Sequence, residues 1–168
     1  MGSKNTFVIV ALATLLTLSI FLFAKSNSND DIAESDRTVT EKVANQISLG
    51  FYNVENLFDT QDDPDTDDAE FLPGSDREWT TERYADKIQK LSTVISRLGN
   101  SLPTIVGLSE IENRAVIEDL ANANALKNGN YDIVHYQSSD ERGIDVGMLY
   151  RKKQFKVIYS QTNFVPLP

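Results

Sequence analysis

The feature that most constrains this chain is the stretch from Ile47 to Asp59, ISLGFYNVENLFD, in which an apolar strand pattern runs directly into an amide and a carboxylate. Ile47, Leu49 and Phe51 alternate with Ser48, Gly50 and Tyr52, the period of two expected of a strand that shows one face to a core. A strand is a stiff support. Asn53 and Glu55 stand two residues apart at its C-terminal end, so their side chains project from the same side wherever extended geometry continues. Oxygen groups held this way suit a hard divalent cation such as Mg²⁺, which keeps several waters that a phosphate can displace. The other reading is a polar strand end with Asn53 in a turn, and partners elsewhere in the chain decide between the two.

Little before this stretch belongs to a folded core. Phe7 to Ala24 is an apolar run of 18 residues, broken only by Thr14, Thr17 and Ser19 and preceded by Lys4. It reads as a secretory h-region, and Ala24-Lys25-Ser26 offers small residues to a signal peptidase. The run is also near the lower limit for crossing a bilayer, so an uncleaved anchor is the alternative. Residues 1–26 are therefore expected to be a signal peptide or membrane anchor, and the protein to be exported to the periplasm or beyond, or held at the membrane through residues 7–24. Residues 27–46, rich in Ser, Asn, Asp and Glu, read as a polar linker, which leaves 47–168 for the folded part. With no cysteine, neither a lipoprotein anchor nor a disulfide framework is available.

Charge narrows the function further. The formal net charge is -9, from 16 basic and 25 acidic residues. Without Lys4 and Lys25 the balance is 14 against 25, or -11. An acidic surface repels polyanions, which argues against gripping nucleic acid by phosphate neutralisation alone. A phosphorylated substrate then has to be held by a bound metal and a few local cations.

Thr60 to Ser75 combines acidic residues with Pro64, Pro73 and Gly74 and reads as a solvated surface loop. Asp63, Asp65 and Asp67 alternate as in a calcium loop, but Asp68 and Gly74 stand where such a loop needs glycine and glutamate. Thr80 or Thr81 caps a helix with an apolar stripe at Tyr84, Ile88, Leu91, Ile95 and Leu98, stopped by Gly99. Ile105 to Leu108 has the unalternating pattern of a strand buried on both faces, and Glu110 follows at once. Asn113 caps a second helix, buried through Val116, Ile117, Leu120 and Ala121 and closed by Lys127 and Gly129. Strands are expected at Tyr131–Tyr136, Ile144–Tyr150 and Phe155–Tyr159, and Asp145, on an otherwise apolar strand, needs a partner if buried.

Three segments thus place chemistry at strand ends: Asn53 with Glu55, Glu110, and Arg142 with Asp145. The segments FYNVENLFD, IVGLSEIENR and ERGIDVGMLYRK, in this order, resemble the endonuclease/exonuclease/phosphatase superfamily of metal-dependent phosphoesterases. Within it they are similar to a bacterial endonuclease-like branch whose sequences run NVENLFD, SEIEN and RGIDV, and the resemblance covers Ile47 to Tyr159. It implies a four-layer α/β sandwich. It also implies that Asn53 is the motif asparagine supporting the site, that Glu55 is its neighbouring acidic group on the metal side, and that Glu110 is the principal metal-binding carboxylate. Arg142 then contacts phosphate and Asp145 has an orienting part. The implied cofactor is Mg²⁺, with Mn²⁺ or Ca²⁺ as substitutes. The implied activity is hydrolysis of phosphodiester bonds, with nucleic acid as substrate and no protein partner evident.

The departures matter as much. The family's later Asp-x-Asn and Ser-Asp-His motifs have no counterpart here. His135, the only histidine, does not match the catalytic one and reads as structural or surface. The chain is therefore expected to represent the first half of the α/β sandwich, inactive alone, with one sheet face built for burial left open. A phosphatase, a phospholipid-type phosphodiesterase and a truncated non-catalytic remnant are the competing readings.

Overall fold

The computed structural model describes residues 9–13, 19–22 and 47–163, with side chains described over 47–163. The chain divides into two compact units. One contains β1 (Ile9–Ala13), β2 (Ser19–Leu22) and a short β7 (Gln161–Thr162), in which β1 pairs antiparallel with β2 and parallel with β7. The rest of the 1–26 leader and the whole 27–46 linker lie outside the described residues. Among the described residues, no helix is long and apolar enough to cross a membrane.

The second unit, Leu49–Phe155, carries the site-forming motifs. Its sheet has the order β3 (Leu49–Leu57), β4 (Ile105–Ile111), β6 (Asp145–Arg151), β5 (Tyr131–Tyr136). β3 and β4 run parallel, as a helical crossover between them requires, and the other pairs are antiparallel. Helices α1 (Thr81–Ile95) and α2 (Arg114–Asn122) share one core with the sheet: Ile88, Leu91 and Ile95 from α1, and Val116, Ile117 and Leu120 from α2, meet Val54, Val106, Leu108, Ile111 and Leu149. Both helices are capped from the sequence as expected, by Thr80 accepting from the Arg83 N–H and Asn113 accepting from the Val116 N–H. This is the mixed α/β arrangement expected of a partial sandwich.

Four expectations need correction. On β3 the side that meets the helices is Tyr52 and Val54, while Leu49 and Phe51 are exposed at 50% and 54%. Gly50 lies on the covered side, where a Cβ would stand 2.9 Å from Leu98 Cδ1. α1 ends at Ile95, and Leu98 lies in the turns that follow rather than on the helix. α2 ends at Asn122, with Lys127–Gly129 a separate 3₁₀ turn. Phe155–Tyr159 is irregular, not a strand: β6 is already paired on both edges, so a segment leaving it finds no open ladder beside it.

Candidate functional site

The C-terminal ends of the parallel pair β3 and β4 lie side by side, and there the two ladders go out of register. Between the pairs Asn53–Ser109 and Leu57–Ile111, three residues intervene on β3 but only Glu110 on β4. Against β6 the pairs Ser109–Val146 and Ile111–Asp145 leave Glu110 as an extra residue. Glu110 is therefore bulged out against β6, while against β3 the extra residues are Val54 to Asn56 on β3 itself. The backbone records the cost: Glu55, Asn56 and Glu110 have φ of 54°, 60° and 63°, three of the five non-glycine residues with positive φ among those described. Such conformations gather where surrounding contacts over-determine them.

Those contacts interlock the first two motifs. Asn53 Nδ2 donates to Glu110 Oε1 at 2.7 Å, and the Asn56 N–H donates to Glu110 Oε2 at 3.2 Å. Asn53 Oδ1 is itself occupied, accepting the Glu55 N–H at 2.7 Å. Asn53 therefore aims the carboxylate through its amide nitrogen, while its Oδ1 keeps one lone pair beyond the Glu55 N–H. Glu55 joins through its backbone, because the left-handed conformation at 55 ends the alternation that would have set its side chain beside that of Asn53. One turn further on, the Asp59 N–H donates to Glu112 Oε2 at 2.7 Å, Asn113 Nδ2 donates to Asp59 Oδ2 at 3.2 Å, and the Glu112 N–H donates to Leu57 O at 3.1 Å. Glu112 is 3% exposed, and its burial, with Asp59, Asp68 and Asp63 nearby, pushes its pKa up to about 7.

The acidic loop between β3 and α1 is anchored rather than freely solvated. Phe71 stacks on Phe58 at 4.1 Å and meets Trp79 edge-on at 6.1 Å, while Asp68 is buried and accepts the Asp63 N–H. Its Asp67 N–H donates to Glu141 O at 2.8 Å, which ties the loop to the third motif.

That third motif hangs from one buried carboxylate. Asp145 is 1% exposed; its Oδ2 lies 2.7 Å from His135 Nε2 and its Oδ1 accepts the Ser138 N–H at 2.7 Å. His135 is thus structural, the partner that a buried Asp145 requires. Ser138 Oγ donates to Ile144 O and accepts the Asp140 N–H, closing the base of the loop. Gly143, at φ 74°, completes the turn where a Cβ would press on Thr66. At the exposed tip, Arg142 donates through Nε and Nη2 to the two oxygens of Asp140, at 3.1 and 3.2 Å. The Asp140 carboxylate, with a smaller contribution from Glu110, holds the Arg142 pKa above its usual value. Of the guanidinium's five N–H groups two are used here, which leaves one edge to fork onto an anion.

The residues read from sequence therefore fall into two sets: Asn53, Glu55 and Glu110 meet at one bulge, and Arg142 and Asp145 share one loop whose cation feels the Glu110 charge. Sequence reading missed Asp140 and the Asn56 N–H, because their contributions depend on a turn and on a backbone conformation. It also missed Lys87, a half-buried cation whose Nζ donates to Glu55 O and Asn56 O. No group of three or more His, Cys, Asp or Glu among the described residues could hold a metal. The donor set fits an ion that needs few protein ligands: Glu110 has each oxygen pinned by a single donor, leaving lone pairs for a cation such as Mg²⁺, which is held through one or two carboxylates and its own waters.

No curated protein and no solved structure matches the chain. A family model does, that of the endonuclease/exonuclease/phosphatase family, over residues 48–166. Enzymes of that family are generally hydrolases of phosphoester bonds and commonly use divalent metals. The matched span takes in the bulge, both helices and the arginine loop, and over that span the chain belongs to the endonuclease/exonuclease/phosphatase family.

Proposed function

We propose that this protein is an exported, divalent-metal-dependent phosphodiesterase, endonuclease-like in its substrate, and that the described residues supply the metal-anchoring and phosphate-gripping part of its site. The observation that carries this reading is the Glu110 carboxylate, bulged from the β4–β6 ladder where β3 also shifts register, and pinned by Asn53 and Asn56 within the electrostatic reach of an arginine. Glu110 would hold the cation, Mg²⁺ by its preference for sparse oxygen sites, and Asn53 would keep the carboxylate aimed. A divalent cation at this position supplies Lewis-acid stabilisation of phosphoryl oxygens and a more acidic bound water. Arg142 would fork onto a non-bridging phosphate oxygen pair, stabilising charge as it develops. His135 is committed to Asp145, so the described residues offer no free histidine as a base. The leader supports export or membrane attachment. A net charge of -9 supports a metal-mediated rather than a basic-patch grip on nucleic acid.

The test is a Mn²⁺ titration of the full chain by calorimetry, followed by gel assays on plasmid DNA and on a chromogenic phosphodiester. Glu110→Gln should abolish Mn²⁺ binding while leaving the melting temperature within a few degrees, because it removes ligand charge and little packing. Mn²⁺ binding that survives this substitution would sink the assignment. Turnover of the chromogenic ester without DNA cleavage would favour a phosphatase or lipid phosphodiesterase.

A further inference from the structure

The consecutive residues Glu55 and Asn56, both at positive φ, are the most unusual backbone in the site, since non-glycine residues enter that region singly rather than in succession. One side chain holds both carbonyls of this run, and a second braces it from below. Lys87 Nζ donates to Glu55 O at 2.5 Å and to Asn56 O at 2.9 Å. Its ammonium lies 5.4 Å from the centre of the Trp79 ring, and Trp79 Nε1 donates to Phe58 O at 3.1 Å and Asp59 O at 2.9 Å. Trp79 is 7% exposed, so the platform under the lysine is fixed. Burial pushes the Lys87 pKa down, while the Glu55 and Glu110 charges push it back up.

We propose that Lys87 is a positioning residue for Glu110: from its seat on Trp79 it holds the Glu55–Asn56 kink, and the kink aims the Asn56 N–H and the Asn53 side chain at the Glu110 carboxylate. The proposal rests on the reading of Glu110 as the metal-anchoring group. It separates cleanly from plain electrostatics by sign. A cation close to Glu110 repels a second cation, so deleting its charge should tighten divalent-metal binding by Coulomb's law. If Lys87 acts by holding geometry, deleting it should weaken binding instead, as loss of an outer partner of a metal ligand does.

The experiment compares the full chain with its Lys87→Met, Lys87→Arg and Glu110→Gln variants. Amide hydrogen exchange is followed by NMR in chelator, and Mn²⁺ affinity by calorimetry. In Lys87→Met the Asn56 amide should exchange at least about tenfold faster while the amides of α1 keep their protection, and the Mn²⁺ Kd should rise about tenfold. Lys87→Arg, which keeps the charge and can reach both carbonyls, should recover part of each effect. An Asn56 amide unchanged in Lys87→Met, or Mn²⁺ bound as tightly or more tightly, overturns the proposal. If Lys87→Met does not fold, Lys87→Gln, with a donor but no charge, carries the same two readouts and the same overturning results. If Glu110→Gln leaves Mn²⁺ binding unchanged, the metal reading fails, and Lys87's part is decided by Asn56 exchange alone.

Discussion

The two halves of the candidate site are built on opposite principles. At the ends of β3 and β4 the groups are held by short bonds from different elements: Glu110 by Asn53 and Asn56, Asp59 by Asn113, Trp79 and its own N–H to Glu112, and the kink by two bonds from Lys87. The arginine loop is exposed, with Arg142 reaching Asp140 two residues away; its one buried side-chain attachment is Asp145, beside a backbone tie from the Asp67 N–H to Glu141 O. The difference fits what each half would do. A carboxylate that must hold a cation with few ligands gains from rigidity, because every displaced oxygen costs a coordination bond. An arginine that must close on a substrate gains from a flexible tip over a fixed base.

The sharpest way to break this comparison is to cut the buried side-chain attachment. Asp145→Ala leaves the His135 ring and the Ser138 N–H without their acceptor inside the sheet, and should lower unfolding stability by about 3 kcal/mol. The Ser138–Ile144 segment should then become the first protease-sensitive site in the unit. Denaturant melts and limited proteolysis check both outcomes. A loss below about 1 kcal/mol with the loop still resistant would mean that the Asp67–Glu141 backbone tie holds the loop without Asp145.

How far this contrast was legible in the sequence follows from how local each feature is. Capping by Thr80 and Asn113, the apolar stripes of both helices and the strand at Ile105 are written in neighbouring residues, and the structure has them. The need of Asp145 for a partner was legible as well, although its identity was not, since His135 pairs with it across two antiparallel strands. The Glu55–Asn56 kink was not legible: Asn56 tolerates a left-handed conformation, but nothing marks Glu55 for one, and the support comes from Lys87 on a later helix. The burial sense of β3 was misread because period two says which residues share a face but not which face is covered. The covered face is the one that carries Gly50, Tyr52 and Val54.

Glu112 sharpens the comparison from the rigid side. Its folded pKa near 7 lies above the ordinary value of 4.5, so the folded state holds a proton that the unfolded state has released between those limits. Stability from this group is full below the lower value and is lost as pH rises through about 7. Glu112→Gln keeps an acceptor for the Asp59 N–H without a charge to bury. Measured in chelator so that no metal intervenes, the variant should gain on the wild type as pH climbs through this window, by about 2 kcal/mol at the plateau. A gap that stays flat from pH 4.5 to 8 would mean that the carboxylate titrates normally despite Asp59, Asp63 and Asp68 around it.

The smallest expected effect on stability is also the one that separates holding from gripping. Asp140→Ala removes an exposed ion pair, in which Arg142 is 62% and Asp140 19% exposed at the side chain, and such pairs contribute little to stability. The melting temperature should move by no more than a few degrees. Asp140 nevertheless takes the side-on edge of the guanidinium and the Arg142 N–H, so the remaining edge points in a defined direction. Freed of that partner, Arg142 loses orientation more than it gains availability, because an unpaired arginine samples many rotamers before meeting a phosphate. Affinity for inorganic phosphate, measured by titration with Mn²⁺ present, should fall about three- to tenfold, and Arg142→Lys should fall at least as far because a point charge cannot fork. Tighter phosphate binding in Asp140→Ala would reverse the assignment: Asp140 would then be a competitor occupying the fork, and the flexible half of the site would be held shut until substrate displaces it.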